Sequence, residues 1–415
     1  MSGKETNIDD PGSLSLVLTN IRRNGPTTRP EVARGTGLSR TLVTKHVEIG
    51  LKLGILDEGK LAESTGGRAP RTLQFTENRG FLLLAELGAS GMALAISDLL
   101  GNLQKVIELP IDISHGAEKV LAVVEKAFDK LVVGGKGKLW GIGIGLPGPV
   151  EFATGVPMSP PIMPGWDKYN LRERFSAKYG VPVWVDNDVN LMALGESTNN
   201  SNSKHQELIY IKVGSGIGAG IINRGSLHRG AQGCAGDIGH IAIQQSSEVI
   251  CRCGNVGCLE AFSGGIALAR DANIAASNGS SEFLEKKLLK MKSLSAKEVI
   301  EGAEHGDPWC VEAIATAGRN VGEVLATLIN FYNPSLVVIG GGISRAGNPL
   351  LAAIREAVYR RSLPLATRDL DIRIGEIGDR AGLSGAAEMV LSELFAPDVM
   401  EQWASNGSPK LPINL

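Results

Sequence analysis

The sequence predicts an α/β protein: a two-lobed body preceded by a small helical head. Three observations carry this reading. Apolar, strand-like runs at 81–87, 139–146, 208–213 and 336–339 each lead into a glycine turn, and helical stretches lie between them at 117–133, 310–331 and 349–361. That alternation is the mark of α/β organisation. The segments LLLAELGASGMALAISDLLGNL (82–103) and LIYIKVGSGIGAGIINRGSL (208–227) share one plan of strand, glycine turn, strand and polar turn. Such an echo predicts two lobes of similar core, with a cleft between them as the natural ligand site. Ahead of the body, residues 13–75 read as three short helices and a hairpin, the parts of a winged helix-turn-helix.

The elements of the head follow from local chemistry. Residues 13–24 (SLSLVLTNIRRN) place apolar side chains at helical spacing and stop at Gly25-Pro26. Thr28 is a suitable N-cap for a second helix with Val32 and Ala33 facing inward. Gly37 breaks the chain, and Ser39 caps a third helix whose expected apolar face is Leu42, Val43, Val47 and Leu51. The stretch from Gly54 to Phe75 then forms the hairpin. Expected boundaries are 1–78 for the head and 79–415 for the body. The first lobe spans about 79–200 and the second about 201–390, with a C-terminal segment returning to the first lobe.

Charge separates head from body. The net charge of the 415 residues is −2, yet residues 12–75 hold ten Lys/Arg against five Asp/Glu, leaving that stretch at +5 and the remainder at −7. A basic head on an acidic body fits a nucleic-acid reader attached to something that does not bind nucleic acid. The N-terminus lacks the apolar core of a signal peptide. The most apolar stretch, Phe81 to Leu100, is interrupted by Glu86, Ser90 and Asp98, so no membrane span is expected. A cytoplasmic, reducing location follows, and clustered cysteines there suggest a metal before disulfides.

Three groups of residues carry candidate chemistry. In Leu38-Ser39-Arg40-Thr41-Leu42-Val43-Thr44-Lys45, the side chains of Ser39, Arg40, Thr41, Thr44 and Lys45 suit a recognition helix, and Arg68 at the hairpin tip suits a minor groove. Cys251-x-Cys253-x4-Cys258 supplies three thiolates within eight residues, and His240 completes a closed tetrahedral set that favours structural Zn²⁺. Cys234 and Cys310 stand apart and read as core residues. At the end of Val183-Trp184-Val185-Asp186-Asn187-Asp188 a strand delivers Asn187 and Asp188 to its carboxyl edge, where α/β sheets bind ligands. Asp188 there could accept a hydroxyl hydrogen bond or act as a general base.

GIGIGLPGPVE (141–151), VDNDVN (185–190), VGSGIGAGIINRGSLHRGAQGCAGDIGHI (213–241), CRCGNVGCLEAFSGG (251–265) and VVIGGGIS (337–344), in this order behind a winged helix, resemble the ROK family of sugar kinases and sugar-responsive repressors. The resemblance implies an actin-like, ribonuclease H-like sugar kinase fold for the body. It implies that Asp188 matches the catalytic aspartate, which also binds sugar in non-catalytic members, with Asn187 as its sugar-binding neighbour. Asp237 falls where the family usually has glutamate on the sugar. His240 matches a histidine that ligates zinc and faces the sugar, Glu260 matches a further sugar ligand, and Gly148 lets backbone approach the sugar.

The phosphate half departs from the family. Kinases carry Asp-x-Gly-Gly-Thr where this chain has Glu86-Leu87-Gly88-Ala89-Ser90. Of the implied nucleotide contacts, Gly88 and Ser90 thus sit in an altered turn, whereas Gly214, Ser215 and Gly216, and Gly341 in the Gly340-Gly341-Gly342 turn, are better kept. Positioning the triphosphate supplies most of the catalysis in phosphoryl transfer. The reading is therefore a regulator, with operator DNA and a sugar or sugar phosphate as partners and a homodimer or homotetramer as assembly. The alternative is an ATP-dependent sugar kinase of glucokinase or N-acetyl amino sugar kinase type with an appended DNA-binding head.

Overall fold

The computed structural model describes residues 11–61, 70–199, 201–202, 204–244, 248–407 and 409. The chain opens with helices α1 (Pro11–Asn24), α2 (Arg29–Thr36) and α3 (Arg40–Lys52), then strands β1 (Leu56–Leu61) and β2 (Arg71–Phe75), paired antiparallel. Glu31 closes the α2 N-terminus by accepting from the Thr28 backbone at 2.7 Å and from its hydroxyl at 2.8 Å, a capping box. Ser39 caps α3 by accepting from the Leu42 N–H. The buried face of α3 is Val43, His46, Val47, Ile49 and Gly50, while Leu42 and Leu51 are only half-buried, Leu51 still packing on the core. Of the expected face, Val43 and Val47 are fully buried and Leu51 packs at its margin, while His46, Ile49 and Gly50 fill the rest of the same helical arc.

The body begins with β3 (Gly80–Leu87), β4 (Gly91–Asp98) and β5 (Leu103–Pro110). It continues through α4 (Ala117–Val132), β6 (Lys138–Leu146), the small hairpin β7 (Val150–Glu151) and β8 (Val156–Pro157), α5 (Leu171–Tyr179), β9 (Val183–Asn187) and α6 (Asp188–Thr198). The first sheet has the order β5-β4-β3-β6-β9, antiparallel between β5, β4 and β3 and parallel onward. Alternation along β3 buries both faces: Leu83, Ala85 and Leu87 pack with α4 and α5, and Leu82 and Leu84 pack on the opposite side.

The second lobe repeats the plan. Its strands are β10 (Leu208–Val213), β11 (Ile217–Asn223), β12 (Ser226–His228), β13 (Leu336–Gly340) and β14 (Asp371–Ile374), in the order β12-β11-β10-β13-β14 with the same pattern of directions. Its helices are α7 (Leu259–Ser263), α8 (Gly265–Ser277), α9 (Glu282–Leu288), α10 (Ala296–Glu304), α11 (Pro308–Tyr332), α12 (Asn348–Arg361) and α13 (Pro364–Thr367). The echo between 82–103 and 208–227 is thus the first two strands of each sheet. No helix among the described residues is long and apolar enough to cross a membrane.

Two last helices tie the molecule together. Helix α14 (Ala381–Leu394) lies on β3 and β6 of the first sheet and against α6, and α15 (Pro397–Asn406) lies against α1 of the head. Helices α6 and α14 cross at backbone contact. A Cβ on Gly195 would lie 2.1 Å from the Ala381 carbonyl oxygen, and one on Gly385 1.7 Å from that of Leu191. Only glycine permits that approach.

One apolar core then runs from the head into the body, joining Leu14, Val17 and Leu18 of α1 to Leu391, Phe395 and Trp403. Aromatic edges mark the junction: Phe75 on Phe395 and Trp140 on Trp403, each at 5.3 Å between ring centroids. Within it, Glu388 of α14 accepts 2.9 Å bonds from Arg22 of α1 and pairs with Arg23 as well. The head therefore shares the core of the first lobe and does not hang on a linker.

Candidate functional site

A cavity of about 150 Å³ lies between the lobes. Its wall brings together Gly148, Asn187, Asp188, Asp237, His240 and Glu260 with Ser215 and Gly216. Gly88, Ser90, Gly214 and Gly341 do not line it. The Gly88–Ser90 turn is held instead by the 111–113 segment, through Ile111 N–H to Ser90 O and Ile113 N–H to Ala89 O.

Asp188 is the first residue of α6 and is 2 % exposed. Asn187 just before it is that helix's cap. Its amide oxygen accepts from the Val189 and Asn190 backbones, and its amide nitrogen donates to Gly148 O at 3.0 Å. This fixes the 147–149 turn to the strand end and leaves one N–H of Asn187 for a ligand. Glu260, on α7, accepts from the Ile217 N–H at 3.0 Å, so one oxygen is committed to the glycine turn and the other is available. Asp237 is exposed on the opposite wall, 3.8 Å from His240 Nε2.

The structure adds three charged groups that the sequence reading missed. Lys212 of β10 reaches Asp188 with Nζ 2.5 Å from Oδ2. Arg229, just after β12 of the second lobe, crosses to the first: it donates to Asp186 at 2.7 Å and lies 3.6 Å from the centre of the Phe152 ring. Asp186 also accepts from Asn190 at 2.9 Å and is 1 % exposed. Together these hold the lobes across the cavity's edge. Lys212 was visible in principle as the lone charge in the run Leu208-Ile209-Tyr210-Ile211-Lys212-Val213, beside a glycine turn. Arg229 carried no local signal, because its partners lie about 40 residues or more away in sequence.

Burial governs the charges here. Desolvation pushes the Glu86 carboxyl up to about 8, against the pull of Lys212. For Lys212 itself desolvation acts downward, but Asp188, followed by Glu86 and Glu260, outweighs it and holds the ammonium above its usual value. Glu86 lies against Gly382 in the first turn of α14, where a Cβ would come within 2.2 Å of its Oε2. A carboxyl that feels the charges of Lys212 and Asp188 is therefore in direct contact with α14.

Beside the cavity, His240, Cys251, Cys253 and Cys258 offer ligand atoms that all lie within 4.8 Å of one another. His240 Nδ1 is 3.6 Å from Cys251 Sγ, and the Cys253 and Cys258 sulfurs are 3.7 Å apart. Tetrahedral bonds of about 2.3 Å to sulfur and about 2.05 Å to nitrogen give pair distances of about 3.8 and 3.6 Å, so the set fits a single tetrahedral ion. Burial, then the neighbouring sulfurs, pushes the Cys258 thiol up to about 12, and such clustered thiolates coexist only beside a cation. With Nδ1 on the cysteines, His240 turns Nε2 toward Asp237 and the cavity. Of the other cysteines, Cys310 is buried as expected, but Cys234 is exposed on the cavity wall and not in a core. The positive φ of Gly233 and Gly236 on either side carries that loop outward.

On the head, Arg40 and Thr41 are exposed at the start of α3, and Thr44 and Lys45 are half-buried one turn on. The Thr44 hydroxyl donates back to Arg40 O. Ser39 is committed to its capping bond. Arg68 lies outside the described residues.

Residues 85–393 match the ROK family, and that match decides the family. The chain belongs to the ROK family. Its relatives fall in two groups. It is 32% identical over 388 residues to the xylose repressor of Caldicellulosiruptor bescii, covering 92% of this chain and 96% of that one. It is 31% identical over 312 residues to the glucokinase of Halalkalibacterium halodurans, covering 74% of this chain and 93% of that one. The solved structure of a ROK family glucokinase from Streptomyces griseus, in complex with glucose and AMPPNP, superposes with a TM-score of 0.66 at 27% identity over 75% of this chain and 99% of that one. A ROK family transcriptional regulator, homologous to the Escherichia coli Mlc protein, shares the fold with a TM-score of 0.81 at 24% identity, covering 96% of this chain and all of its own. The repressor and regulator thus run alongside nearly the whole ROK chain, whereas the kinases account for about three-quarters of it.

Proposed function

We propose that this ROK protein is a sugar-responsive transcriptional repressor that binds operator DNA through α3 and the hairpin, works in the cytoplasm as a homodimer or homotetramer, and releases or grips DNA as a sugar fills the cleft. The observation that carries the reading is the shared core: the same helix, α14, touches Glu86, which feels the Lys212 and Asp188 charges of the cleft, and holds Arg22 and Arg23 of the head through Glu388. A ligand whose binding shifts β3 or α14 would be felt at the buried ion pair and so at the head, which is how two sites become energetically coupled. The xylose repressor among its relatives makes xylose the first effector to try.

Within the cleft, Asp188, Asn187, Glu260, Asp237 and the free nitrogen of His240 would receive sugar hydroxyls, with Gly148 allowing backbone approach. The cavity of about 150 Å³ is small beside the roughly 300–1,000 Å³ of sites for larger ligands, which suits a monosaccharide alone. The ion in the Cys3His set would be zinc in a closed, structural role, fixing the loops that carry His240 and Glu260. Arg40, Thr41, Thr44 and Lys45 would meet the major groove, with Arg68 reaching from the wing.

The kinase reading draws on a specific observation too: Ser215 and Gly216 keep the second phosphate turn at the cavity wall, beside Asp188. An assay of ADP release with hexoses, pentoses and N-acetyl amino sugars separates the two readings. The repressor reading expects no turnover above the sugar-free rate. Sustained sugar-dependent ADP release would overturn it.

A further inference from the structure

Lys212 has no place in the function as proposed so far, yet it occupies the centre of the site. It is the penultimate residue of β10, two residues before Gly214, lines the cavity, and meets Asp188 at 2.5 Å. A phosphoryl donor acting on a hydroxyl held by Asp188 would have to bring its terminal phosphate and metal to this side of Asp188, next to the glycine turns. The Lys212 ammonium is already there. With Nζ on Oδ2, that oxygen is engaged by the ammonium instead of by a substrate hydroxyl. Oδ1 of Asp188 takes no hydrogen bond among the described residues and remains open to a hydroxyl.

The surroundings set the sign of the ligand. Asp188, Glu260 and Asp237 carry three negative charges around the cavity against the one of Lys212, and Glu86 sits behind them. Arg229 is neutralised by Asp186. A phosphate entering this cleft would meet excess negative charge and an ammonium that already has a partner.

We propose that Lys212 is a built-in counter-ion that closes the phosphoryl-donor position and reserves the cleft for a neutral, unphosphorylated sugar. The inference rests on reading the cleft as a sugar site. Lys212 acts through Asp188 and is a positioning residue: it holds the carboxylate oriented so that Oδ1 accepts from the sugar.

The test is calorimetry on the full chain with xylose, glucose, glucose 6-phosphate and Mg²⁺–AMPPNP, on the wild type and on Lys212→Thr and Lys212→Arg. The wild type should bind a parent sugar and bind glucose 6-phosphate and nucleotide at least about 100-fold more weakly. Losing a charge-assisted bond to Asp188 should cost Lys212→Thr at least about tenfold in sugar affinity, with Lys212→Arg restoring most of it. Anions that bind as tightly as the sugar, or full affinity in Lys212→Thr, would overturn the proposal. A ligand-free arm measures acetylation of each lysine by mass spectrometry. Lys212 should react far more slowly than exposed Lys292, and Asp188→Asn should release it; equal rates in the wild type would also overturn the proposal. If no sugar binds while Lys212 is protected and nucleotide excluded, the sugar reading fails and the closed donor position stands.

Discussion

Replacing Glu388 with Gln probes the joint between head and body. In the structure this carboxylate sits in the shared core, with the Arg22 side chain 4% exposed and its own 8%. Burial is the largest influence on its pKa and acts upward, but Arg22 and Arg23 overcome it and hold the group below its ordinary 4.5. A folded value below the unfolded one means that the pair stabilises the fold above about pH 4.5 and that this contribution is lost as pH falls through the folded value. Removing one partner of a buried pair leaves the other charge uncompensated and costs about 3–5 kcal/mol; Gln keeps a hydrogen bond, so about 3 kcal/mol is expected. Replacing both, Arg22→Met with Glu388→Leu, should come within about 1–2 kcal/mol of the wild type or above it. Urea denaturation at pH 7 measures these differences. Coupling between sites is typically about 1–3 kcal/mol, so a joint weakened by about 3 kcal/mol can erase it. Operator affinity in Glu388→Gln should thus respond little to sugar, while sugar affinity stays near the wild-type value. A loss below about 1 kcal/mol, or an undiminished sugar response, would refute this account of the joint.

Other perturbations test the remaining parts. Arg40→Ala should lower operator affinity by about 1–3 kcal/mol at fixed salt in a fluorescence anisotropy titration, with a smaller effect on unrelated DNA. Cys253→Ser should abolish one equivalent of zinc by elemental analysis and weaken sugar binding by about 10–100-fold, because the loop bearing His240 and Glu260 loses its anchor. Glu86 has a folded pKa of about 8 against 4.5, so its protonated form favours the fold and stability should fall as pH rises from about 4.5 to 8. Glu86→Gln should flatten that slope in urea melts, by a ceiling of about 5 kcal/mol at about 1.4 kcal/mol per tenfold change in proton affinity.

Much of this architecture could be read from the chain because its signals are local. Apart from Glu86 and Lys212, the strand runs at 81–87 and 208–213 are apolar on both faces and lead into glycine, so their position and their duplication appear in the sequence itself. The Cys251-x-Cys253-x4-Cys258 knuckle is likewise local, and only His240 had to come from elsewhere. What escaped depends on long-range contact. Arg22 meets Glu388 across 366 residues, and the crossing of Gly195 with Ala381 joins segments equally invisible to each other. Cys234 was misplaced because a lone cysteine between Gly233 and Ala235 says nothing about which way its loop turns. On α3 the face was read from its apolar residues, so the buried His46 and Gly50 were passed over while Leu42, which is only half-buried, was included.

The central claim is that sugar binding in the cleft changes the grip on DNA. The most direct test is the affinity of the full chain for its operator, measured by anisotropy at fixed salt against a panel of pentoses and hexoses. The account predicts that at least one unphosphorylated sugar shifts that affinity by about tenfold or more, equivalent to about 1.4 kcal/mol of coupling. An operator affinity that no sugar changes, measured on protein shown by calorimetry to bind one, would contradict it.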